Sequence, residues 1–377
     1  MTFSELGLSA PLCDLLAENK YNQPYPIQEQ AIPLVLQGYD VLGIAPTGSG
    51  KTASFALPIL QNLQGNTQTK NRHINVLVLV PTRELCMQVQ SVFRDFAMAL
   101  PDRVKSLPVF GGASINPQMM SLQNVNVLVA TPGRLLDLIN SNALSLSALS
   151  TFILDEADKM LNLGFKDEME QIFKLLPKKR QSLFFSATLS PDVQHMHAQL
   201  LTNAKVVQIE QEETKVSAIS QVAYRVTQEK KGPLLRFLIK SKKMDQVLVF
   251  TSSTQQADRV CNKLVKNGYN ARAVHSKKSQ GFRNQALIDF KHKGVHVLVA
   301  TDLLSRGIDI EQLPFVINYE LPRSPKDFIH RVGRTGRSKN MGEAITLITP
   351  EDASHFKVIQ KKMKVRIDEI DSEQLDY

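Results

Sequence analysis

Only three cysteines occur in 377 residues. Cys13, Cys86 and Cys261 lie far apart with no Cys-x-x-Cys pairing, so neither a disulfide framework nor a zinc site is expected, and a reducing cytoplasm fits. Uninterrupted apolar runs are too short for a membrane span, and Met1 to Leu6 has no basic start leading into an apolar stretch, so no membrane partner is expected either. A basic low-complexity tail is also missing. The last stretch is the acidic Asp368-Glu369-Ile370-Asp371-Ser372-Glu373, and a polyanion is expected to be held mainly by the two domains. What is present is ample: 43% hydrophobic residues over this length suffice for the cores of two domains. The 45 Lys and Arg outnumber the 36 Asp and Glu, and the net charge of +9 favours a polyanionic partner or a solvated basic surface.

Ala45-Pro46-Thr47-Gly48-Ser49-Gly50-Lys51-Thr52 follows the apolar run Val41 to Ile44 and precedes the helix-compatible Ala53 to Leu57, the context of a phosphate-binding loop between a strand and a helix. Gly43, Gly48 and Gly50 are expected to turn backbone N–H groups towards an anion, and the following helix adds its positive end. Lys51 would bring a full charge to the outer phosphates and Thr52 would hold Mg²⁺; the plain alternative is a glycine-rich turn that caps a helix. A nucleoside triphosphate site follows from this stretch, but its purpose does not.

From this loop onward, runs rich in Val, Leu and Ile alternate with helix-like segments, the pattern of α/β domains whose parallel sheets are covered by helices. Val76 to Val80, Val125 to Ala130, Phe152-Ile153-Leu154 and Leu183-Phe184-Phe185 read as strands buried on both faces. Each ends in a polar cluster, and these clusters should meet beyond the carboxyl ends of the strands. A second series follows at Gln246 to Phe250, Val295 to Ala300, Val316 to Tyr319 and Ala344 to Ile348. Val125-Asn126-Val127-Leu128-Val129-Ala130-Thr131 returns as Val295-His296-Val297-Leu298-Val299-Ala300-Thr301, which suggests two related domains in tandem. The charged stretch Glu210 to Lys215 marks the boundary. The expected division is a first domain over 1–208, a linker over 209–219, a second domain over 220–363 and a short acidic tail over 364–377. Only the first half carries the phosphate loop, so the second is expected to complete the site from outside and tie hydrolysis to domain closure.

Asp155-Glu156-Ala157-Asp158 follows the strand Phe152-Ile153-Leu154. A carboxylate there suits the magnesium shell of a phosphate-loop enzyme, which makes Asp155 the metal-side candidate. Glu156, one residue on, can orient and deprotonate an attacking water. Acidic residues capping a helix are the plain alternative. These four residues spell the signature of the DEAD-box ATP-dependent RNA helicases, and the chain from Phe3 to about Thr349 resembles that family motif by motif. Pro81-Thr82-Arg83-Glu84-Leu85, Gly111-Gly112, Thr131-Pro132-Gly133-Arg134 and Ser186-Ala187-Thr188 resemble successive motifs of its first domain. Arg306-Gly307-Ile308-Asp309 and His330-Arg331-Val332-Gly333-Arg334-Thr335-Gly336-Arg337 resemble those of its second.

The resemblance implies two tandem RecA-like domains, each a mostly parallel sheet covered by helices on both faces. It implies ATP and Mg²⁺ as cofactors, and RNA held by its sugar–phosphate backbone with little regard to sequence. Within Pro24-Tyr25-Pro26-Ile27-Gln28, Gln28 is the adenine reader, for which an amide with both a donor and an acceptor is suited. Tyr21 would stack on the ring and Phe3 takes the position of the family's upstream aromatic, with core packing as the alternative for both. Ala45 to Thr52 cradle the phosphates and Asp309 holds the ribose hydroxyls. RNA-backbone contacts are expected at Arg83, Gly112, Thr131 and Arg134, and at Arg283 and Thr301 in the second half. Taken singly, Thr131 to Arg134 is only a turn into a helix and Gln280 with Arg283 a polar helix face. Asp158, Ser186, Thr188, Asp302, His330 and Arg331 are assigned to coupling between the domains. Arg334 and Arg337 are arginine fingers on the γ-phosphate, a device worth about 10³–10⁵ in rate.

Several residues depart from the family pattern. Tyr25 replaces the usual Thr, Pro46 the common Gln, Ser276 follows His275 where His-Gly is usual, and Leu303-Leu304-Ser305 replaces smaller residues. None removes a charged catalytic group. Residues 275–290, with Lys277 to Gly281, look most like the bacterial RhlE-type branch. The basic runs Lys178-Lys179-Arg180 and Lys240-Ser241-Lys242-Lys243 read as solvated helix ends. The expected activity is local strand separation or remodelling of RNA–protein complexes by a monomeric cytoplasmic core, with ribosomal or RNA-decay proteins as further partners. An ATP-gated RNA clamp and a DNA helicase are the competing functions.

Overall fold

The computed structural model describes residues 1–46, 48–65, 72–209, 219–302, 313–335, 342–363 and 365–377. Thr47, Asp309 and Arg337, the Arg306 motif and most of the expected linker lie outside the described residues. Contacts divide the chain into one unit up to Gln211 and a second from Glu212.

The first unit holds seven strands, β1 Val41–Ile44, β2 Val76–Leu79, β3 Ser106–Val109, β4 Val127–Ala130, β5 Thr151–Leu154, β6 Gln181–Ser186 and β7 Lys205–Gln208. They form one parallel sheet in the order β3-β4-β2-β5-β6-β1-β7. The second unit repeats this with β8 Ser220–Arg225, β9 Val247–Thr251, β10 Ala271–Val274, β11 Val297–Thr301, β12 Phe315–Asn318, β13 Glu343–Ile348 and β14 Asp368–Asp371. Its order is β10-β11-β9-β12-β13-β8-β14, again parallel and the same arrangement displaced by seven strands. The recurring heptad therefore falls on equivalent strands, β4 and β11, and the two sheets share one topology.

Side-chain alternation explains why these runs are apolar throughout. Val76 and Val78 enter one core layer of the first unit, while Leu77 and Leu79 enter the other. Val247 and Val249 face one layer of the second unit and Leu248 and Phe250 the opposite one. A strand with helices on both faces has no solvent side, so polar residues are excluded from both sets of positions. Edge strands escape that demand. β3, β7, β10 and β14 close the two sheets, and β8 lies next to an edge with Ser220 and Arg225 exposed at its ends; none of the five stands out as an apolar run.

The acidic end expected as a tail is instead part of the second sheet. Asp368–Asp371 pairs with β8 in register from Val222 to Arg225, and the Tyr377 ring packs at 5.8 Å from Phe237. Exposed acidic side chains on an edge strand leave its backbone free to complete the ladder, which a reading based on side-chain charge does not register. No helix among the described residues is long and apolar enough to cross a membrane.

Candidate active site

All strands of a parallel sheet end on one side, and the loops leaving β1, β5 and β6 meet there in the first unit. The loop after β1 turns through Gly48 at φ 77° and Gly50 at φ 87°, left-handed conformations that favour glycine, and delivers Lys51 to the start of the helix Lys51–Leu63. Lys51 is buried, and its Nζ donates to Ala45 O at 2.7 Å and Pro46 O at 2.9 Å. Ser49 Oγ also donates to Pro46 O, at 2.7 Å. The Pro46 carbonyl thus gathers two side chains of the loop, a part that the backbone plays whatever the side chain at this position. Thr52 stands in the first turn of the same helix.

Gly43 differs from the expectation. It lies within β1, and a Cβ there would come within 2.4 Å of the Phe185 ring on the neighbouring strand, so its small size serves packing rather than an anion. Gln28 is 1% exposed and clasps the loop: its Oε1 accepts from the Tyr25 N–H at 2.9 Å, while its Nε2 donates to Gly50 O at 3.1 Å. A Cβ on Gly50 would stand 2.5 Å from that amide and 3.0 Å from the Tyr25 ring. Tyr25 is thereby a wall of the loop, a role its departure from Thr did not announce. Tyr21 is 43% exposed and meets Phe96 in a T-shaped pair, whereas Phe3 is buried in the core.

Asp155 and Glu156 follow β5 and lie within electrostatic reach of Lys51. Burial, and then the Glu156 carboxylate, push the Asp155 pKa up against the pull of Lys51 and Lys159. Burial lowers the Lys51 pKa, opposed by Asp155 and Glu156. Asp155 Oδ1 accepts the Glu156 N–H at 2.9 Å, and Glu156 sits at φ 54°, a left-handed conformation rare for a residue with a side chain. Its Oε1 pairs with Lys159 at 2.5 Å, and its buried Oε2 has no hydrogen-bond partner among the described residues. The buried Asp155 carboxylate and the Thr52 hydroxyl, in the first turn of the helix after the phosphate loop, are hard oxygen donors of the kind that fits Mg²⁺, and the orphaned Glu156 oxygen is left to accept from a water. Lys159 was not expected here; its spacing three residues after Glu156 on the helix Ala157–Asn162 was the available signal.

Two bonds tie neighbouring loops to this centre. The Ala45 N–H donates to Ser186 O at 3.1 Å, and Thr188 Oγ1 donates to Asp158 Oδ2 at 3.1 Å. Ser186 Oγ donates to Thr188 O at 2.8 Å, which holds that loop in a tight turn. The loop after β6 therefore touches both the phosphate loop and the acidic motif.

Arg83, Gly112, Thr131 and Arg134 meet at the ends of β2, β3 and β4, on the other half of the same sheet edge. Thr131 Oγ1 accepts the Gly111 N–H at 3.4 Å, and Arg134 Nη2 donates to Ala113 O at 2.9 Å. Arg134 Nη1 is buried with no hydrogen-bond partner among the described residues, a donor suited to an anion. Gly112 has φ 74°, and a Cβ there would lie 1.8 Å from Arg83 Nη2. Gly112→Ala is therefore expected to displace Arg83 and weaken RNA binding on the order of tenfold, the worth of a charged hydrogen bond. A titration of ATP turnover against RNA concentration checks it; an unchanged half-saturating RNA concentration would remove Arg83 from the contact.

In the second unit Thr301 ends β11 and Arg283 is buried on the helix Gln280–Lys291. Arg331 is not a surface group. It is 1% exposed, donates through Nε and Nη2 to Asp302, with Nη2 to Oδ2 at 2.8 Å, and through Nη1 to Asn318 Oδ1 at 3.2 Å and Glu320 O at 2.6 Å. Its guanidinium lies 5.0 Å over the Phe250 ring. Arg331 and Asp302 thus bind the ends of β9, β11 and β12 together within the unit. Arg334 is buried, with its carbonyl accepting the Leu313 N–H at 3.0 Å, and His330 is half-buried on the preceding helix.

Residues 25–196 match the family described as DEAD/DEAH box helicase, and residues 229–339 that described as helicase conserved C-terminal domain. The ATP-dependent RNA helicase CshA of Limosilactobacillus reuteri is 38% identical over 97% of this chain and 73% of its own length. The DEAD-box ATP-dependent RNA helicase CshA of Bacillus subtilis is 36% identical over 100% of this chain and 75% of its own. Among solved structures, S. cerevisiae Dbp5 bound to RNA and ADP BeF3 covers 99% of this chain and 96% of that one, with TM-score 0.85 and 28% identity. A DEAD box protein from the hyperthermophile Methanococcus jannaschii covers 98% and 99%, with TM-score 0.55 and 35% identity. Two sheets of one topology, the first carrying a phosphate loop beside a buried Asp-Glu pair, define a tandem RecA-like nucleoside triphosphatase. The chain belongs to the DEAD-box family of ATP-dependent RNA helicases. Both of these bacterial relatives are CshA proteins, and neither bears an RhlE-type name.

Proposed function

We propose that this chain is an RNA-stimulated ATPase that separates short RNA duplexes or remodels RNA–protein complexes. The observation that carries this reading is the sharing of one sheet edge: Lys51, Asp155 and Glu156 gather at β1 and β5, and Arg83, Thr131 and Arg134 at β2 and β4. The second group offers guanidinium and hydroxyl donors suited to phosphates rather than to base edges.

In this mechanism Gln28 and Tyr21 take the adenine, Gly48 to Lys51 take the outer phosphates, and Glu156 accepts the proton of the attacking water. Asp155 and Thr52 would hold Mg²⁺, whose part is to neutralise charge on the phosphate oxygens. The bonds from Ala45 to Ser186 and from Thr188 to Asp158 offer a route by which the nucleotide is felt at the loop after β6. Arg334 and Arg337 would serve as fingers, Asp309 as the ribose holder, and Arg283 and Thr301 as RNA contacts of the second unit. Arg331 and Asp302 act on the couple as positioning residues. Ribosomal or RNA-decay partners, a cytoplasmic location and placement in the RhlE-type branch belong to the same proposal.

ATP turnover is expected to rise with RNA and to disappear in Lys51→Ala, read by phosphate release with and without RNA. Turnover at full rate without RNA would sink the coupling of the two sites.

A further inference from the structure

A cavity of about 350 Å³ in the second unit has no part in the mechanism above. It lies at the amino-terminal ends of β9, β10 and β11, the side of the sheet opposite to Thr301 and Asp302. Lys240, Lys243, Tyr269, Asn270 and His296 line it, together with the carboxylate of Asp245. The charge of the chain is concentrated in this unit: from Glu212 onward 29 Lys and Arg face 19 Asp and Glu, whereas up to Gln211 16 face 17. Nearby Lys242 is paired with Glu343 at 2.9 Å and Arg272 with Asp289 at 2.6 Å. Lys240 and Lys243 are exposed at the cavity with no ion pair among the described residues.

The turns leading into these strands bear on the same edge. Each places one residue in the left-handed region: Gly268 at φ 82° before β10, Lys243 at φ 47° before β9 and Lys293 at φ 61° before β11. Glycine adopts that conformation without steric cost, and lysine does not. Two of the three turns therefore hold a positive charge where an uncharged glycine would fit better.

We propose that this edge is a second RNA-backbone contact, through which the second unit holds a stretch of RNA away from the helicase motifs. The proposal rests on the reading of RNA as substrate. Separated lysines on flexible stems act as point charges for successive phosphates, and a cavity of this size can receive one nucleotide. β11 has five residues, so the two edges stand roughly 17 Å apart, a span that a few nucleotides cover. Asp245 keeps the site from being uniformly positive and sets the anion towards Lys240, Lys243 and His296.

The test compares the full chain with a Lys240→Gln, Lys243→Gly, Lys293→Gly variant. Both glycines relieve backbone strain, so the variant is expected to fold at least as well, which a thermal melt verifies. Binding is measured across a salt series with a short single-stranded RNA, too small to span both edges, and with a long one. For the long RNA the variant is expected to bind about tenfold more weakly at low salt, with a log–log salt slope smaller by about 2, since each lost phosphate contact removes ~0.7. Affinity for the short RNA and maximal ATP turnover should stay as in the parent chain. An unchanged slope and affinity for the long RNA overturns the proposal, as does equal weakening for both lengths. Polyglutamate binding that falls in the variant while long-RNA binding holds would assign the edge to acidic polypeptides instead. If RNA fails to stimulate the parent chain, the proposed activity falls as well; an unaltered slope in a chain that RNA still stimulates overturns this inference alone.

Discussion

Glu156→Gln is expected to lower RNA-stimulated ATP turnover by about 10²–10⁴-fold, the range a positioned general base supplies. The substitution is nearly isosteric. Gln retains an oxygen for Lys159 and leaves the left-handed turn at φ 54° intact, because that turn is held by the bond from the Glu156 N–H to Asp155. What it removes is the carboxylate whose Oε2 has no partner among the described residues. Binding and chemistry should therefore separate: nucleotide affinity stays close to that of the parent chain while single-turnover hydrolysis at saturating RNA collapses. Hydrolysis at the parental rate would mean that another group takes the proton.

Arg331→Met is the second large effect, and it falls on stability. The side chain is 1% exposed, and its loss takes donors from Asp302, Asn318 and Glu320 at once. Breaking a buried charge pair costs about 3–5 kcal/mol, and because Asp302 keeps some contact with solvent the lower end, about 3 kcal/mol, applies. For a unit of this size that is a fall of roughly 10 °C in Tm. Arg331→Lys should recover little of it, since one ammonium cannot reproduce the fork on Asp302. Thermal unfolding of the three proteins decides the matter. An unchanged melt with lost RNA stimulation would return Arg331 to direct coupling between the units.

The two large effects also mark what could be read without a structure. Central strands such as Val76–Leu79 and Val247–Thr251 are legible because burial on both faces leaves no polar position. Lys205–Gln208 and Asp368–Asp371 are illegible for the converse reason: an edge is stabilised by backbone pairing to one neighbour, and its side chains are free to be polar. In the site, Lys51, Asp155 and Glu156 were legible as residue types at a fixed spacing. Lys159, the clasp of Gln28 on Gly50 and the packing role of Gly43 were not, because each depends on a distance between segments. Arg331 stands out in the sequence only as part of the motif from His330, whereas its partners Asp302, Asn318 and Glu320 come from the ends of two strands, and a linear motif carries no trace of them.

Both sheets place their first strand between their last two. Val41 pairs with Leu183 on one side and Lys205 on the other, and β8 is likewise enclosed by β13 and β14. During synthesis the strand that carries the phosphate loop emerges well before β6 and β7, and nearly the whole unit must follow before either neighbour exists. Its ladder is closed only by contacts of very long sequence separation, the slowest kind to form. Nucleotide binding is thereby deferred to a completed unit, and a nascent chain halted before β6 would present the motif without a pocket. The β1 and β8 edges are the segments a chaperone would most need to shield in that interval.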